Sequence, residues 1–258
     1  MITDLIGNTV DPDEPPPRRV VSLVPSVTES LFDIGAGGSV AGVTRFCIFP
    51  AERVEALPKV GGTKNPDIEA IRALEPDLVY MNLEENLRRD AEAIGAFTKL
   101  FVTEPKSIGD VVSLIGSLGA IHHVPDRAAR WCYAIREEIE RTESRESFTF
   151  ACAIWKRPWM WCGGDTYVSS LVEAAGGRNV LRDELRYPSH EPALVAALTP
   201  DIVFLPDEPY AFTTADADEM RSVGEWNVIG PFPGHLFTWH GTRTLHGLEF
   251  LSEVLASR

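Results

Sequence analysis

The sequence predicts an α/β protein of two lobes with parallel sheets, joined by one long rigid helix, with a ligand cleft between the lobes. Three observations lead there. One is an uninterrupted amphipathic run from Pro125 to Thr142. Another is a near-repeat on either side of it: Ala73-Leu74-Glu75-Pro76-Asp77-Leu78-Val79-Tyr80-Met81 matches Ala197-Leu198-Thr199-Pro200-Asp201-Ile202-Val203-Phe204-Leu205. The third is a set of short β-branched runs, each leading into a tight turn and a helix start.

The central run, PDRAARWCYAIREEIERT, opens with Pro at a first-turn position and an acid at the positive end of the helix dipole. No Pro or Gly follows before Pro158. Ala128, Cys132, Ile135 and Ile139 make one apolar stripe, while Arg136/Glu140 and Glu137/Arg141 are spaced to pair on the wet side. At about 1.5 Å per residue the helix spans about 27 Å, long enough to act as a strut. The predicted organisation is an extended lead-in at 1–18, an N-terminal lobe at 19–122, a linking helix at 123–146 and a C-terminal lobe at 147–258.

Composition bounds the function. The chain has 258 residues, 44% apolar and 24% charged, enough for one large or two small cores. A formal net charge of -14 argues against nucleic acid, whose phosphates demand a basic patch. Cys47, Cys132, Cys152 and Cys162 are scattered; only the last two lie within ten residues of each other, and none has zinc spacing. They read as buried thiols. The start, MITDLIGNTV, has neither a basic region nor an apolar core, so a native Met1 implies the cytosol and a trimmed precursor an extracytoplasmic site. No stretch approaches the roughly 18 apolar residues of a membrane span.

In order, residues 3–17, rich in Pro and acids, predict an extended, mobile lead-in. Arg19–Val24 is a buried strand. Ser26 with Glu29 three residues on reads as a capping box opening a helix through Ile34, which Gly35, Gly37 and Gly38 end. Val40–Val43 is a second strand, followed by the aromatic loop Thr44–Pro50. Glu69–Leu74 is helical, Leu78–Met81 a strand, Asn82–Arg89 the opening of a helix, Lys99–Val102 a strand and Ser107–Ala120 a helix. His122 and His123, adjacent and unable to share a helix face, are expected at the surface rather than on a metal. The pattern then restarts. Thr149–Trp155 is a strand, Lys156–Gly164 a loop, and Asp165 or Thr166 caps a helix through Ala175. Gly176 and Gly177 end it, and Val180-Leu181 begins the next strand. Ser30–Gly35 echoes Ser170–Gly176 with one insertion.

No nucleophile elbow and no phosphate loop occurs, so no catalytic residue is assigned. His235, His240 and His246 match no zinc pattern, so no metal site is assigned either. Aromatics are concentrated in the expected cleft loops: Phe46, Phe49, Trp155, Trp159, Trp161, Tyr167, Tyr210, Phe212 and Trp239, with His240. Flat rings suit a large, partly apolar ligand such as a macrocycle or aromatic metal chelate, and Arg45, Lys156, Arg157 and Arg243 suit its acidic groups. For each ring the alternative is a place in the core.

Arg19–Glu29 (RVVSLVPSVTE), Gly42-Val43-Thr44, the aromatic loop to Pro50, Val60-Gly61-Gly62, Asn65–Ile71 and Pro76–Val79 together resemble the helical-backbone periplasmic binding proteins. These are the receptors of ABC importers for cobalamin, haem and ferric siderophores. The resemblance runs from about Arg19 to Leu255 and points to the cobalamin-receptor branch. It implies two α/β lobes on one rigid helix, a monomer without covalent cofactor, and cobalamin or another metal chelate held without chemistry. The resemblance implies Phe46, Trp159, Trp161, Tyr210 and Trp239 as ligand residues; with the turn and cleft-loop residues the expected set is Ser26, Thr28, Glu29, Arg45 and Phe46 in one lobe and Trp159, Trp161, Tyr210, Trp239 and His240 in the other. Phe46 matches a tyrosine packed on the corrin. Glu69 matches an acid that docks onto permease arginines; its C-terminal counterpart falls on Ala193, and Glu191 is the nearest acid. A direct metal receptor using Glu29 and His240, or a tetrapyrrole-modifying enzyme on the same scaffold, is the alternative.

Overall fold

The computed structural model describes residues 1–142 and 147–256. The chain divides into two compact units, Met1–Pro105 with Val112–Tyr133, and Lys106–Val111 with Ala134–Arg258. Among the described residues no helix is long and apolar enough to cross a membrane.

The first unit opens with a two-stranded antiparallel ribbon, β1 (Ile2–Thr3) and β2 (Thr9–Val10). It lies within the segment expected as an extended lead-in. Asp4 holds it: its carboxylate accepts the N–H groups of Ile6 (3.0 Å) and Asn8 (2.8 Å), closing the turn, and that of Val102 (2.8 Å). Leu5 N–H in turn donates to the Val102 carbonyl. Two-residue strands carry no alternation for a sequence to display.

The first sheet is all parallel, in the order β4 (Val40–Val43), β3 (Val20–Ser22), β5 (Leu78–Asn82), β6 (Lys99–Thr103). Its crossovers carry α1 (Pro25–Asp33), α2 (Ala51–Glu55), α3 (Ile68–Ala73) and α4 (Arg88–Gly95). Val21, Leu23, Val79, Met81 and Val102 pack with Ile71 and Ile94 into one core. Residues 83–87 form a turn rather than a helix start. Asn82 ends β5 and its side-chain oxygen accepts Glu84 N–H (2.8 Å) and Glu85 N–H (3.2 Å), bending the chain there. Ser26 is not a cap either: Val24 is the N-cap, Pro25 occupies the first turn, and α1 has no side-chain cap bond.

Helix α5 (Ile108–Ile121) is followed by His122, which is buried, not exposed as expected; its Nε2 is 2.9 Å from the Tyr80 hydroxyl. His123 is exposed and its ring contacts the Pro12 carbonyl at 2.9 Å. Helix α6 (Pro125–Thr142) follows, and the unit boundary falls within it, between Tyr133 and Ala134. The predicted linking helix reaches 146, and 143–146 lie outside the described residues. Ala128, Cys132 and Ile135 are buried along it. Arg141 pairs with Glu138 at 2.7 Å, and Ser252 Oγ donates to the other Glu138 oxygen at 2.6 Å.

The second unit repeats the plan. Its parallel strands run β9 (Gly177–Asn179), β7 (Phe148–Trp155), β10 (Ile202–Pro206), β11 (Asn227–Phe232), with β8 (Met160–Trp161) antiparallel on the far end of β7. Numbered from its own first strand, each parallel sheet has the order 2-1-3-4. The accompanying helices are α7 (Tyr167–Ala174), α8 (Pro192–Ala196), α9 (Thr214–Arg221), α10 (His235–Thr238) and α11 (Arg243–Ala256). Two local expectations shift. Residues 160–161 are strand, not loop. The strand expected at Val180 lies at 177–179, because Asn179 turns the chain: its side chain accepts Leu181 N–H and donates to the Cys162 carbonyl, both at 2.9 Å.

The repeated Pro-Asp motif has one geometry in both units. Glu75 and Thr199, each just past a helix end, sit at φ 47° and 52°, the left-handed conformation that stops a helix. Asp77 N–H and Asp201 N–H then donate to the carbonyls of Arg19 and Thr149, 3.0 Å each. The carboxylates reciprocate: Asp77 accepts Arg18 N–H (2.7 Å) and Arg19 N–H (3.2 Å), and Asp201 accepts Thr149 N–H (2.6 Å) and its hydroxyl (2.8 Å). Each motif thus staples the start of a central strand.

Candidate functional site

In the first unit the loop after β4 leaves the carboxyl end of the sheet. The Cys47 thiol lies 3.2 Å from both the Thr28 and the Thr44 hydroxyls, tying this loop to α1. Burial pushes the thiol's pKa up, which keeps it protonated. Ser26, Thr28 and Glu29 are all buried, and Thr28 Oγ1 also donates to the Val24 carbonyl at 3.1 Å. The Thr28 hydroxyl, through the Cys47 thiol, therefore shapes the loop from beneath. What the loop presents outward is Phe46, 47% exposed, with the Arg45 guanidinium 5.0 Å from its ring centre, and Ile48 beside them. Both rest on Gly61-Gly62. Arg45 N–H donates to the Gly61 carbonyl at 2.9 Å, and a Cβ on Gly62 would come within 3.2 Å of the Phe46 ring and 3.3 Å of Arg45. That close approach is what the Val60-Gly61-Gly62 motif provides.

In the second unit five rings form a ladder from core to surface. Trp161 is wholly buried and its indole N–H donates to the His190 carbonyl at 2.9 Å. Trp159 stacks on it (6.2 Å, 25°) and on Phe212 (5.8 Å, 13°); Tyr210 meets Phe212 at 4.8 Å and Trp155 at 5.5 Å. Trp155, at 41% exposure, is the outer rung. Trp161 belongs to the core and offers a ligand no surface, and Trp159 nearly none. Trp161 lies on β8 and Trp159 in the turn just before it, and both rings pack into the same apolar core with Phe212. Lys156 braces the ladder from the side. Its ammonium sits 5.2 Å from the Trp159 ring and bonds Asp216 (2.6 Å) and Glu219 (2.7 Å). Against the opposing effect of burial, the Lys156 ammonium and the Thr213 cap bonds hold Asp216 down to about 2.

A second group lies after β10 and around α10. The Glu208 carboxylate accepts the indole N–H of Trp239 (3.2 Å) and the Thr238 hydroxyl (3.4 Å), while Asp207 accepts Gly234 N–H (2.6 Å). Burial, and then the neighbouring Asp207 charge, push the Glu208 pKa up. Glu208 was not singled out in the sequence; its place immediately after a strand, beside Tyr210, was the available signal. His240 is buried, edge-on to Tyr167 at 6.2 Å, and burial lowers its pKa to about 4. Among the described residues no three His, Cys, Asp or Glu side chains converge to hold a metal ion. A hollow of about 480 Å³ beside α6 and α11, walled by Glu137, Glu138, Glu140, Glu249 and Arg141, shares no residue with the ladder.

The two acids expected to dock differ in setting. Glu69 stands in the first turn of α3, its side chain 83% exposed and 3.7 Å from Arg72. Glu191 is exposed at the N-cap of α8 and makes no cap bond. It lies ten residues before Asp201, as Asp67 lies before Asp77, and so has the register of Asp67, which does cap α3 through Ala70 N–H (2.9 Å).

Known proteins resemble the chain along most of its length. An ABC transporter substrate-binding lipoprotein of Bacillus subtilis is 26% identical over 255 residues, covering 93% of this chain and 80% of the relative. A vitamin B12-binding protein of Pectobacterium carotovorum is 25% identical over 174 residues, 65% of this chain and 63% of the relative. Two solved structures share the fold. The periplasmic vitamin B12 binding protein of Vibrio cholerae has a TM-score of 0.77 at 20% identity, over 95% of this chain and 98% of its own. A periplasmic heme-binding protein from Roseiflexus has 0.78 at 21%, over 93% and 98%. The periplasmic binding protein family model matches residues 20–229, and the chain belongs to that family.

Proposed function

We propose that the protein is the substrate-binding component of an ABC importer and that its substrate is a metal chelate of the corrinoid, haem or ferric-siderophore class, bound without chemical change. The observation that carries this is family membership across most of the chain, joined to relatives named for vitamin B12 and heme. The residues are consistent with it. Each unit exposes aromatic area beyond the carboxyl end of its parallel sheet, where α/β folds bind ligands. In the first unit the contact surface is Phe46 with Arg45, backed by Ser26, Thr28 and Glu29. In the second it is Trp155 and Tyr210, backed by Trp159 and Trp161, with Trp239 and His240 buried behind the surface. Stacking and area burial supply affinity, and Arg45 supplies charge for peripheral acids of the ligand.

A corrinoid fits best. Haem iron is held by an axial side chain; His240 and Tyr167 are both buried, which leaves Tyr210 as the ligand-type side chain on the proposed surface. Corrin cobalt can carry its own axial base, so flat apolar faces suffice. The protein acts as a monomer that delivers its load to a membrane permease, with Glu69 and Glu191 offered to cationic partners. The test is titration of the purified protein with cobalamin, hemin and ferric chelates, read by tryptophan quenching and equilibrium dialysis. Saturable binding of one of them at micromolar concentration or tighter is expected. Absence of binding by all three classes would overturn the reading.

A further inference from the structure

Cys152 and Cys162 stand opposite one another. The antiparallel pairing of Ala153 with Trp161 places them as the next cross-strand pair, and Cys162 N–H donates to the Cys152 carbonyl at 2.9 Å. Both are fully buried, both are free thiols, and Cys47 and Cys132 lie elsewhere in the chain. Directly opposed, hydrogen-bonded residues of an antiparallel pair have Cα atoms about 5.5 Å apart, inside the roughly 4.4–6.8 Å window of disulfides.

We infer that Cys152 and Cys162 are a disulfide site, closed when the chain folds in contact with an oxidising thiol–disulfide couple. The reaction is ordinary exchange. The thiolate of one cysteine attacks a small disulfide RSSR, forming a mixed disulfide and releasing RS⁻. The second thiolate attacks the protein sulfur of that intermediate, forming the Cys152–Cys162 bond and expelling the other RS⁻. Two cysteines are oxidised, one RSSR is reduced to two thiols, and the two cysteine protons pass to them. Burial raises the Cys152 pKa, so the thiolate is scarce in the folded protein, and closure belongs to the folding chain rather than the finished fold. The inference is independent of which ligand the protein binds.

The experiment refolds the reduced, denatured chain in a mixture of reduced and oxidised glutathione, blocks free thiols with iodoacetamide under denaturing conditions, and digests with trypsin. Cleavage after Lys156 separates the two cysteines, so only a disulfide keeps the fragment with Cys152 attached to the fragment with Cys162. That pair is expected in most molecules, about 2 Da lighter than its two free-thiol fragments summed, with Cys47 and Cys132 carbamidomethylated. The pair should vanish in Cys162→Ser, whose Cys152 should then be alkylated. Folded wild-type protein given the same mixture should form it at least about tenfold more slowly. Alkylation of all four cysteines after oxidative refolding, or pairing of Cys152 with Cys47 or Cys132, would overturn the inference.

Discussion

Acid should loosen this fold well before its carboxylates are protonated, and His122 is the clearest cause. Its ring is enclosed just after α5, with Nε2 2.9 Å from the Tyr80 hydroxyl. Burial brings its pKa from 6.5 to about 4; the Asp77 charge opposes this weakly, and the neighbouring His123 adds to it. Above pH 6.5 the imidazole is neutral folded or unfolded, and the full stability is present. As pH falls from 6.5 toward 4 the unfolded chain takes up a proton that the folded chain refuses, so stability is lost over that window and levels off below it. At about 1.4 kcal/mol per unit, His122 removes about 2 kcal/mol by pH 5 and about 3 kcal/mol by pH 4. His240, also lowered to about 4 by burial, removes a similar amount in the same window. Against a typical total of about 5–15 kcal/mol the pair is decisive. Urea unfolding measured at half-unit steps from pH 7.5 to 4 gives the slope. In His122→Gln, whose amide can still bond Tyr80, the slope between pH 6 and 4.5 should fall by about 1.2 kcal/mol per unit. Equal slopes in variant and wild type would refute the argument, whatever the variant's absolute stability.

The remaining expectations are shorter. Asp201→Ala removes the carboxylate that accepts two bonds from Thr149 and should cost about 1–3 kcal/mol in urea unfolding, with Asp77→Ala costing a similar amount; no change in either would empty the staple of meaning. Trp161→Ala should cost about 3–5 kcal/mol, as expected of a filled core position, whereas Phe46→Ala should stay within about 1 kcal/mol in stability and lose about tenfold in ligand affinity. Glu69→Ala with Glu191→Ala should abolish uptake in cells while ligand affinity in solution stays within about twofold; retained uptake would remove both acids from the partner contact.

The architecture was legible because its signals are local and physical. The Pro-Asp repeat encodes a left-handed stop and a carboxylate that holds a strand, so two copies meant two equivalent sheets. Gly61-Gly62 carried its meaning too, in the close approach of Phe46. What escaped the sequence depended on distant partners. Nothing near Asp4 announces a bond to Val102, and nothing beside His122 announces Tyr80. Trp159 and Trp161 were ambiguous for another reason: aromatic alternation serves a ligand surface and a half-buried strand equally well, and β8 is too short to declare itself. Ser26 and Glu29 carry the letters of a capping box, but Pro25 already supplies the geometry that starts α1.

The ribbon at the amino terminus has a consequence for how copies of the protein behave together. A border strand such as β6 invites a neighbouring molecule to extend the sheet, and Asp4 and Leu5 occupy the outward amide and carbonyl of Val102 that such an intruder would need. Proteolytic loss of the first ten residues would therefore do more than shorten the chain. It would turn a guarded margin into a template, and the trimmed protein should self-associate at concentrations where the whole one stays dispersed.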